Sequence, residues 1–240
     1  MIEPDWPAPP RVRAVSTQRS GGISRGAYTS LNLAAHVGDD PRRVAANRRA
    51  LTEALGLAGE PAWLTQVHGT TIVDLDSEAA GEADGAVTGR AGKVCVVMTA
   101  DCLPVLLTNR AGSRVAAAHA GWRGLLAGVL PATVRRLGGP PEEILAWLGP
   151  AIGPASYEVG PELKAAFDAA DPGSERYFRP GRGDRWLADL YGLASSSLRA
   201  AGVTTIHGGG FCTYAESKRF FSHRRQAPCG RMATLIWLGE

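Results

Sequence analysis

Two apolar runs, Leu103–Thr108 and Arg114–His119, flank the turn-forming segment Asn109-Arg110-Ala111-Gly112-Ser113 and read together as a β-hairpin. This pair constrains the fold more than any other feature. A parallel connection needs a crossover of a dozen or more residues, so arms joined this tightly run antiparallel. Elsewhere strands and helices interleave. Strands are expected at 11–19, 62–68, 70–75, 94–99, 144–148, 203–207 and 232–238. A helix opens at Asp40-Pro41, an N-cap and first-turn pair, and runs to Gly56 with Val44, Leu51 and Leu55 inward and Asn47 and Arg48 on its flanks. Further helices are expected at 122–137, with Pro131 kinking or interrupting it, at 161–170 and at 186–201. Residues 173–185, rich in Gly, Arg and Pro, read as an exposed loop. One antiparallel hairpin among mixed elements predicts an α+β fold with a mixed β-sheet flanked by helices. No linker or internal repeat divides the chain, so residues 1–240 are expected to form a single domain.

Hydrophobic residues make up 45% of the 240 and charged residues 20%, enough apolar material for a sizeable core. A net charge of +3 is too small to point to nucleic acid. No uncharged apolar stretch approaches the ~18 residues of a membrane span. The opening residues, with acids and prolines, do not resemble a secretory leader. The four cysteines, 95, 102, 212 and 229, are dispersed without a paired motif, which suits a reducing cytoplasm. No obligate protein partner is expected.

The hairpin also carries chemistry. Cys102 precedes its first arm and His119 ends its second, so a gap of 17 residues in sequence closes to one sheet edge. His68, 34 residues before Cys102, must arrive from elsewhere in the fold. Two imidazoles and a thiolate form a zinc ligand set that leaves one position open, the mark of a catalytic site. Taken singly, a buried Cys is more often a small hydrophobe and a His a satisfied polar group. The same residues also suit a cysteine hydrolase, with Cys102 as nucleophile and His119 or His68 as base. Two His and one Cys equally suit a copper site. The trinuclear cluster of a multicopper oxidase would exhaust a chain with five histidines, three of them committed.

Longer blocks add to this. Gly22-Ile23-Ser24 to Tyr28, Ser30-Leu31-Asn32-Leu33, His36-Val37-Gly38-Asp39-Asp40, Asn47-Arg48, Gln66-Val67-His68-Gly69, Ala100-Asp101-Cys102-Leu103-Pro104 and His119-Ala120-Gly121-Trp122-Arg123-Gly124 resemble the laccase-domain (YfiH-type) family. So do Gly149-Pro150-Ala151-Ile152-Gly153, Cys212-Thr213-Tyr214 and Phe220-Phe221-Ser222-His223-Arg224-Arg225. The blocks span nearly the whole chain in the family's order. Gln226, where an acidic residue is expected, and Cys229, where Thr is usual, depart from it. The resemblance implies purine nucleoside phosphorylase activity, with adenosine deaminase and methylthioadenosine phosphorylase activities beside it. Relatives have also been called polyphenol oxidases and peptidoglycan editing factors. It implies that His68, Cys102 and His119 bind Zn2+, with Cu2+ as the alternative metal, and that a purine nucleoside and phosphate are the partners.

Phosphorolysis needs an anion site, and Arg48 and Arg224 are guanidinium forks suited to phosphate, although an Arg on a helix surface is more often solvated than a ligand contact, and Arg224 and Arg225 also suit salt bridges across the sheet. Deamination needs a group to shuttle a proton beside the metal. Asp101, next to Cys102, is the candidate for that role, or for orienting a ligand from outside.

Overall fold

The hairpin forms in the expected register, with Leu103 opposite Ala120 and Pro104 opposite His119. The computed structural model describes residues 1–239. In chain order its elements are β1 (Val12–Ser16), α1 (Pro41–Ala54), β2 (Ile72–Asp74), β3 (Gly85–Thr88), β4 (Val94–Thr99), β5 (Leu103–Asn109) and β6 (Val115–Ala120). There follow α2 (Trp122–Ala127), α3 (Val129–Leu137), β7 (Ile144–Leu148), β8 (Glu158–Val159), α4 (Pro161–Ala170) and β9 (Phe178–Pro180). Then come β10 (Trp186–Ala188), α5 (Leu190–Ala200), β11 (Thr205–Gly208) and β12 (Met232–Leu238). The fold is α+β, as expected.

The hairpin strands lie at the centre of a six-stranded mixed sheet, ordered β11-β7-β5-β6-β3-β2. Its outer pairs, β11 with β7 and β2 with β3, are parallel and the inner ones antiparallel. Side chains alternate across it with the two-residue period of a strand. Val105, Leu107, Ala116 and Ala118 face α2, α3 and α5, meeting Leu125, Val129, Leu130, Val134 and Leu198. Leu106, Ala117 and Trp147 face the other way, onto Cys95, Val97 and Ile236.

Those last residues belong to a second sheet, β1-β12-β4, antiparallel throughout. Its far face, with Val94, Val96 and Leu235, takes Leu51 of α1 together with Leu31 and Leu33. The layers therefore run helix, sheet, sheet, helix. A strand between two layers must be apolar on both faces, which is why Val94–Thr99 is buried along its whole length. Each fully buried Leu of the hairpin contributes about 1.5–3 kcal/mol of transfer free energy. A smaller sheet, β8-β10-β9, covers one end. No helix of the described residues is long and apolar enough to cross a membrane.

Several expectations need correction. The helix expected over 122–137 is two helices. The break falls at Gly128, in the left-handed region at φ 91°, and Pro131 lies harmlessly in the first turn of α3. Residues 62–68 form no strand, only isolated bridges from Ala62 to Cys95 and from Thr65 to Glu82. The exposed loop at 173–185 contains a short 3-10 helix, Pro172–Tyr177, and strand β9. The helix expected from 186 starts at Leu190, capped by Asp189 accepting from Gly192 N, after strand β10. Asn47 is buried, not on a flank: its amide donates to Ser24 Oγ and the Asn32 carbonyl, and Ile23 N donates to it. Strand β3 was not foreseen; it is four residues long and opens with a glycine.

Candidate metal centre

Cys102 and His119 reach one edge of the six-stranded sheet by hairpin geometry, Cys102 just before β5 and His119 within β6. His68 is brought there by two side chains. Gln66 acts as a substitute strand residue, its Oε1 accepting from Met98 N at 2.7 Å and its Nε2 donating to Met98 O at 2.9 Å. This fixes the approach of the segment to β4. Asp84, at the start of β3, then gathers the turn: its carboxylate accepts from Val67 N at 3.2 Å, His68 N at 2.9 Å and Gly69 N at 2.6 Å. The turn holds His68 at φ 62°, a left-handed conformation costing a non-glycine residue about 1–3 kcal/mol. Three hydrogen bonds to one charged acceptor offset that cost.

Asp84 Oδ1 also lies 2.8 Å from His119 Nδ1. Asp84 is fully buried and His119 is 3% exposed. The carboxylate therefore sets the imidazole's orientation and leaves its Nε2 toward the site, the usual arrangement behind a metal-binding histidine. Burial disfavours the Asp84 charge, but the hydrogen bonds from His119 and Gly69 outweigh it and hold the carboxyl below its ordinary range.

The ligating atoms of His68, Cys102 and His119 all lie within 4.8 Å of one another. Cys102 Sγ is 4.0 Å from His68 Nε2, and the two imidazole rings meet edge to face at 4.8 Å. Gly121 makes room for them: a Cβ there would lie 2.9 Å from Cys102 Sγ and 3.1 Å from His68 Cδ2. Burial opposes ionisation of Cys102, yet the charge and N–H of His119 and the N–H of His68 bring the thiol down to about 6. The thiolate and Asp84 in turn raise His119 to about 9 against the effect of its burial. Two imidazoles, a sulfur poised to ionise and a cradle that a side chain at 121 would fill make a donor set fit for a divalent metal. Among the described residues no fourth His, Cys, Asp or Glu joins the group.

Asp101, adjoining Cys102, is also left-handed, at φ 94°. It ties three loops together. Oδ1 accepts from Thr213 Oγ1 at 2.6 Å, Oδ2 from Arg224 N at 2.7 Å, and its carbonyl from Ile152 N at 3.0 Å. Arg224 thus stands at the rim of the site, with its guanidinium 5.3 Å from the Tyr157 ring and donating to the Glu158 carbonyl.

Arg48 is already engaged by groups of the chain. Its Nε donates to Leu33 O at 2.9 Å, its guanidinium stacks on Trp63 at 4.0 Å, and the depression it lines contains none of the three ligands. A larger groove of about 1130 Å³ runs over α2, α3 and α5 past Leu126, Phe167 and Tyr177, and it too contains none of them. The candidate donor set lies in neither depression. Asp84 and Gln66 were missed from sequence, although an acid set in the small and apolar run Ala83-Asp84-Gly85-Ala86-Val87 was a usable signal.

The chain matches, over residues 13–239, the family described as multi-copper polyphenol oxidoreductase laccase. It is 55% identical over 240 residues to a purine nucleoside phosphorylase of Pseudomonas aeruginosa, covering 100% of this chain and 98% of that one. It is 52% identical to the purine nucleoside phosphorylase YfiH of Escherichia coli, covering 99% and 98%. A Neisseria meningitidis protein of known crystal structure superposes with a TM-score of 0.95 at 46% identity, covering 100% and 99%. With the fold, nearly the whole length and the sequence in agreement, this chain belongs to the laccase-domain (YfiH-type) family.

Proposed function

We propose that this chain is a zinc-dependent purine nucleoside phosphorylase acting on adenosine, inosine or guanosine, and on methylthioadenosine. The observation that carries the reading is the convergence of His68, Cys102 and His119 on one point, with no fourth His, Cys, Asp or Glu joining them among the described residues. The names of its relatives supply the reaction class.

In phosphorolysis a phosphate oxygen bonds to C1′ of the ribose while the C1′–N9 bond breaks. The bonding electrons leave with the base, which takes up a proton. The transition state resembles an oxocarbenium ion, so catalysis rests on positioning and charge stabilisation. Bound zinc supplies fixed positive charge and Lewis-acid polarisation of an oxygen. The chain does the rest. Asp84 orients His119 through Nδ1 and holds the turn that presents His68. Arg224 brings positive charge to the rim, suited to an incoming phosphate, and Asp101 fixes the Arg224 backbone.

Adenosine deamination at the same centre is the second activity in this reading. There Asp101, beside Cys102, accepts the proton released as water adds to C6 of adenine and returns it to the departing amine. Residues 1–240 are read as one catalytic domain, and the four free cysteines fit a reducing cytoplasm.

The test is to incubate purified, zinc-loaded protein with inosine, with and without phosphate, and to follow hypoxanthine. The reading requires phosphate-dependent release that stops when the metal is chelated and returns with zinc. Absence of release from metal-replete protein rejects it. Activity that follows copper and oxidises a phenol favours the oxidase alternative. Hydrolytic activity in metal-free protein favours the cysteine hydrolase.

A further inference from the structure

Asp84 braces two of the three candidate ligands, through His68 N at 2.9 Å and His119 Nδ1 at 2.8 Å, and makes no hydrogen bond with Cys102. The sulfur is placed from the other side, by the left-handed turn at Asp101 (φ 94°) that leads into β5. A non-glycine residue keeps such a conformation only where its surroundings over-determine it. Two loops do so here, besides Arg224 N. Loop 149–153 gives Ile152 N to the Asp101 carbonyl at 3.0 Å, and loop 211–214 gives Thr213 Oγ1 to its carboxylate at 2.6 Å. Ile152 and Thr213 are both fully buried.

One side chain of α5 joins these two loops. Tyr191 Oη accepts from Ala151 N at 2.9 Å, and its proton is shared between the carbonyls of Gly149 at 3.1 Å and Phe211 at 3.2 Å. Ala151 is gripped on both sides, since its own carbonyl accepts from Thr213 N at 3.0 Å. The glycine run 208–210 serves the same junction. Its φ angles of 80°, 83° and 78° carry the chain from β11 past the Tyr191 ring to Phe211, and a Cβ on Gly209 would lie 3.4 Å from that ring. A single partner would satisfy a buried phenol. This one spans both loops that end on Asp101.

We propose that Tyr191 is a positioning residue for the metal centre. Its hydroxyl locks loops 149–153 and 211–214 together, and through Ile152 and Thr213 it fixes the Asp101 turn that places Cys102 Sγ beside the two imidazoles. This rests on the metal-dependent reading above, and adds to it a residue that touches neither metal nor substrate.

The experiment compares the full chain with Tyr191→Phe, which keeps the ring and removes only the hydroxyl, with Thr213→Val, and with the double variant. Zinc affinity is measured by competition with a chromophoric chelator. Titration with Co2+ gives the sulfur-to-cobalt charge-transfer band, a signature of the metal–sulfur bond that a general loss of stability does not move. The urea midpoint of metal-free protein shows that each variant is folded. Thr213→Val should weaken zinc binding about 10-fold, the low end for losing a group that orients a ligand. Tyr191→Phe, one step further from the sulfur, should weaken it about 3-fold or more and shift the cobalt band. In the double variant the losses should be less than multiplicative, because both act through Asp101. Wild-type zinc affinity and an unchanged cobalt band in Tyr191→Phe overturn the proposal even where the urea midpoint falls, since the hydroxyl then serves the scaffold alone. Fully multiplicative losses overturn the route through Asp101 and the proposal with it. A wild-type chain that takes up neither metal overturns the proposal and the metal reading together. A chain that cleaves no inosine, but whose zinc affinity falls as expected in the variants, keeps the proposal and rejects the phosphorylase reading. Phosphorolysis of inosine with unchanged metal binding in the variants does the reverse.

Discussion

Replacing Asp84 by Asn keeps the size of the side chain, removes its charge and turns one acceptor oxygen into a donor. The carboxylate accepts four hydrogen bonds, from His119 Nδ1 and from the amides of Val67, His68 and Gly69. An amide oxygen can keep about two of these, while its NH2 faces donors where acceptors are needed. Each lost hydrogen bond to a charged acceptor is worth about 1.5–3 kcal/mol, so two lost contacts cost about 3–6 kcal/mol of stability. That is a large part of the ~5–15 kcal/mol by which a domain is usually stable. The same change releases His119 from its orienting partner, and loss of such a partner typically weakens metal binding about 10- to 100-fold. Competition for zinc against a chromophoric chelator gives the affinity, and urea unfolding of metal-free and metal-loaded protein gives the stability. A D84N protein with wild-type zinc affinity and a urea midpoint equal to wild type would refute the role assigned to Asp84.

Two further outcomes follow from the same geometry. In metal-free protein, alkylation of Cys102 by iodoacetamide should rise with a midpoint near pH 6, where its thiol ionises beside His119. Saturating zinc should suppress it at neutral pH, where the ligands stay deprotonated, and a midpoint at the ordinary thiol value of about 8.5 contradicts the pairing. Gly128→Ala should destabilise the protein by about 1–2 kcal/mol through its left-handed φ of 91° alone, because a Cβ there meets nothing within 4 Å. Chemical denaturation measures it, and an unchanged midpoint would mean that the break between α2 and α3 is not conformationally required.

What the chain reveals before folding divides by range. The hairpin, α1, α4 and β12 were legible because their signals are local: a turn, an N-cap followed by proline, an apolar run. Cys102 and His119 could be paired from sequence for the same reason, since one hairpin carries both. His68 could be suspected, but its approach could not be traced, because Gln66 and Asp84 hold it through bonds to β4 and β3 that no local pattern encodes. Two stacked sheets were likewise hidden. Val94–Thr99 declares itself apolar on both faces without naming what covers each. The segment at 122–137 has the helical period throughout, and only the backbone shows that Gly128, not Pro131, interrupts it. Arg48 has the chemistry of an anion ligand, but the Leu33 carbonyl and the Trp63 ring engage it first.

The central claim is that one sulfur and two imidazole nitrogens hold a single ion and leave it open to reactant. X-ray absorption at the zinc edge of the loaded protein tests this directly. The account predicts one sulfur at about 2.3 Å, two imidazole nitrogens at about 2.0–2.1 Å and one exchangeable light-atom ligand. A shell without sulfur, or one closed by four protein donors, would contradict it.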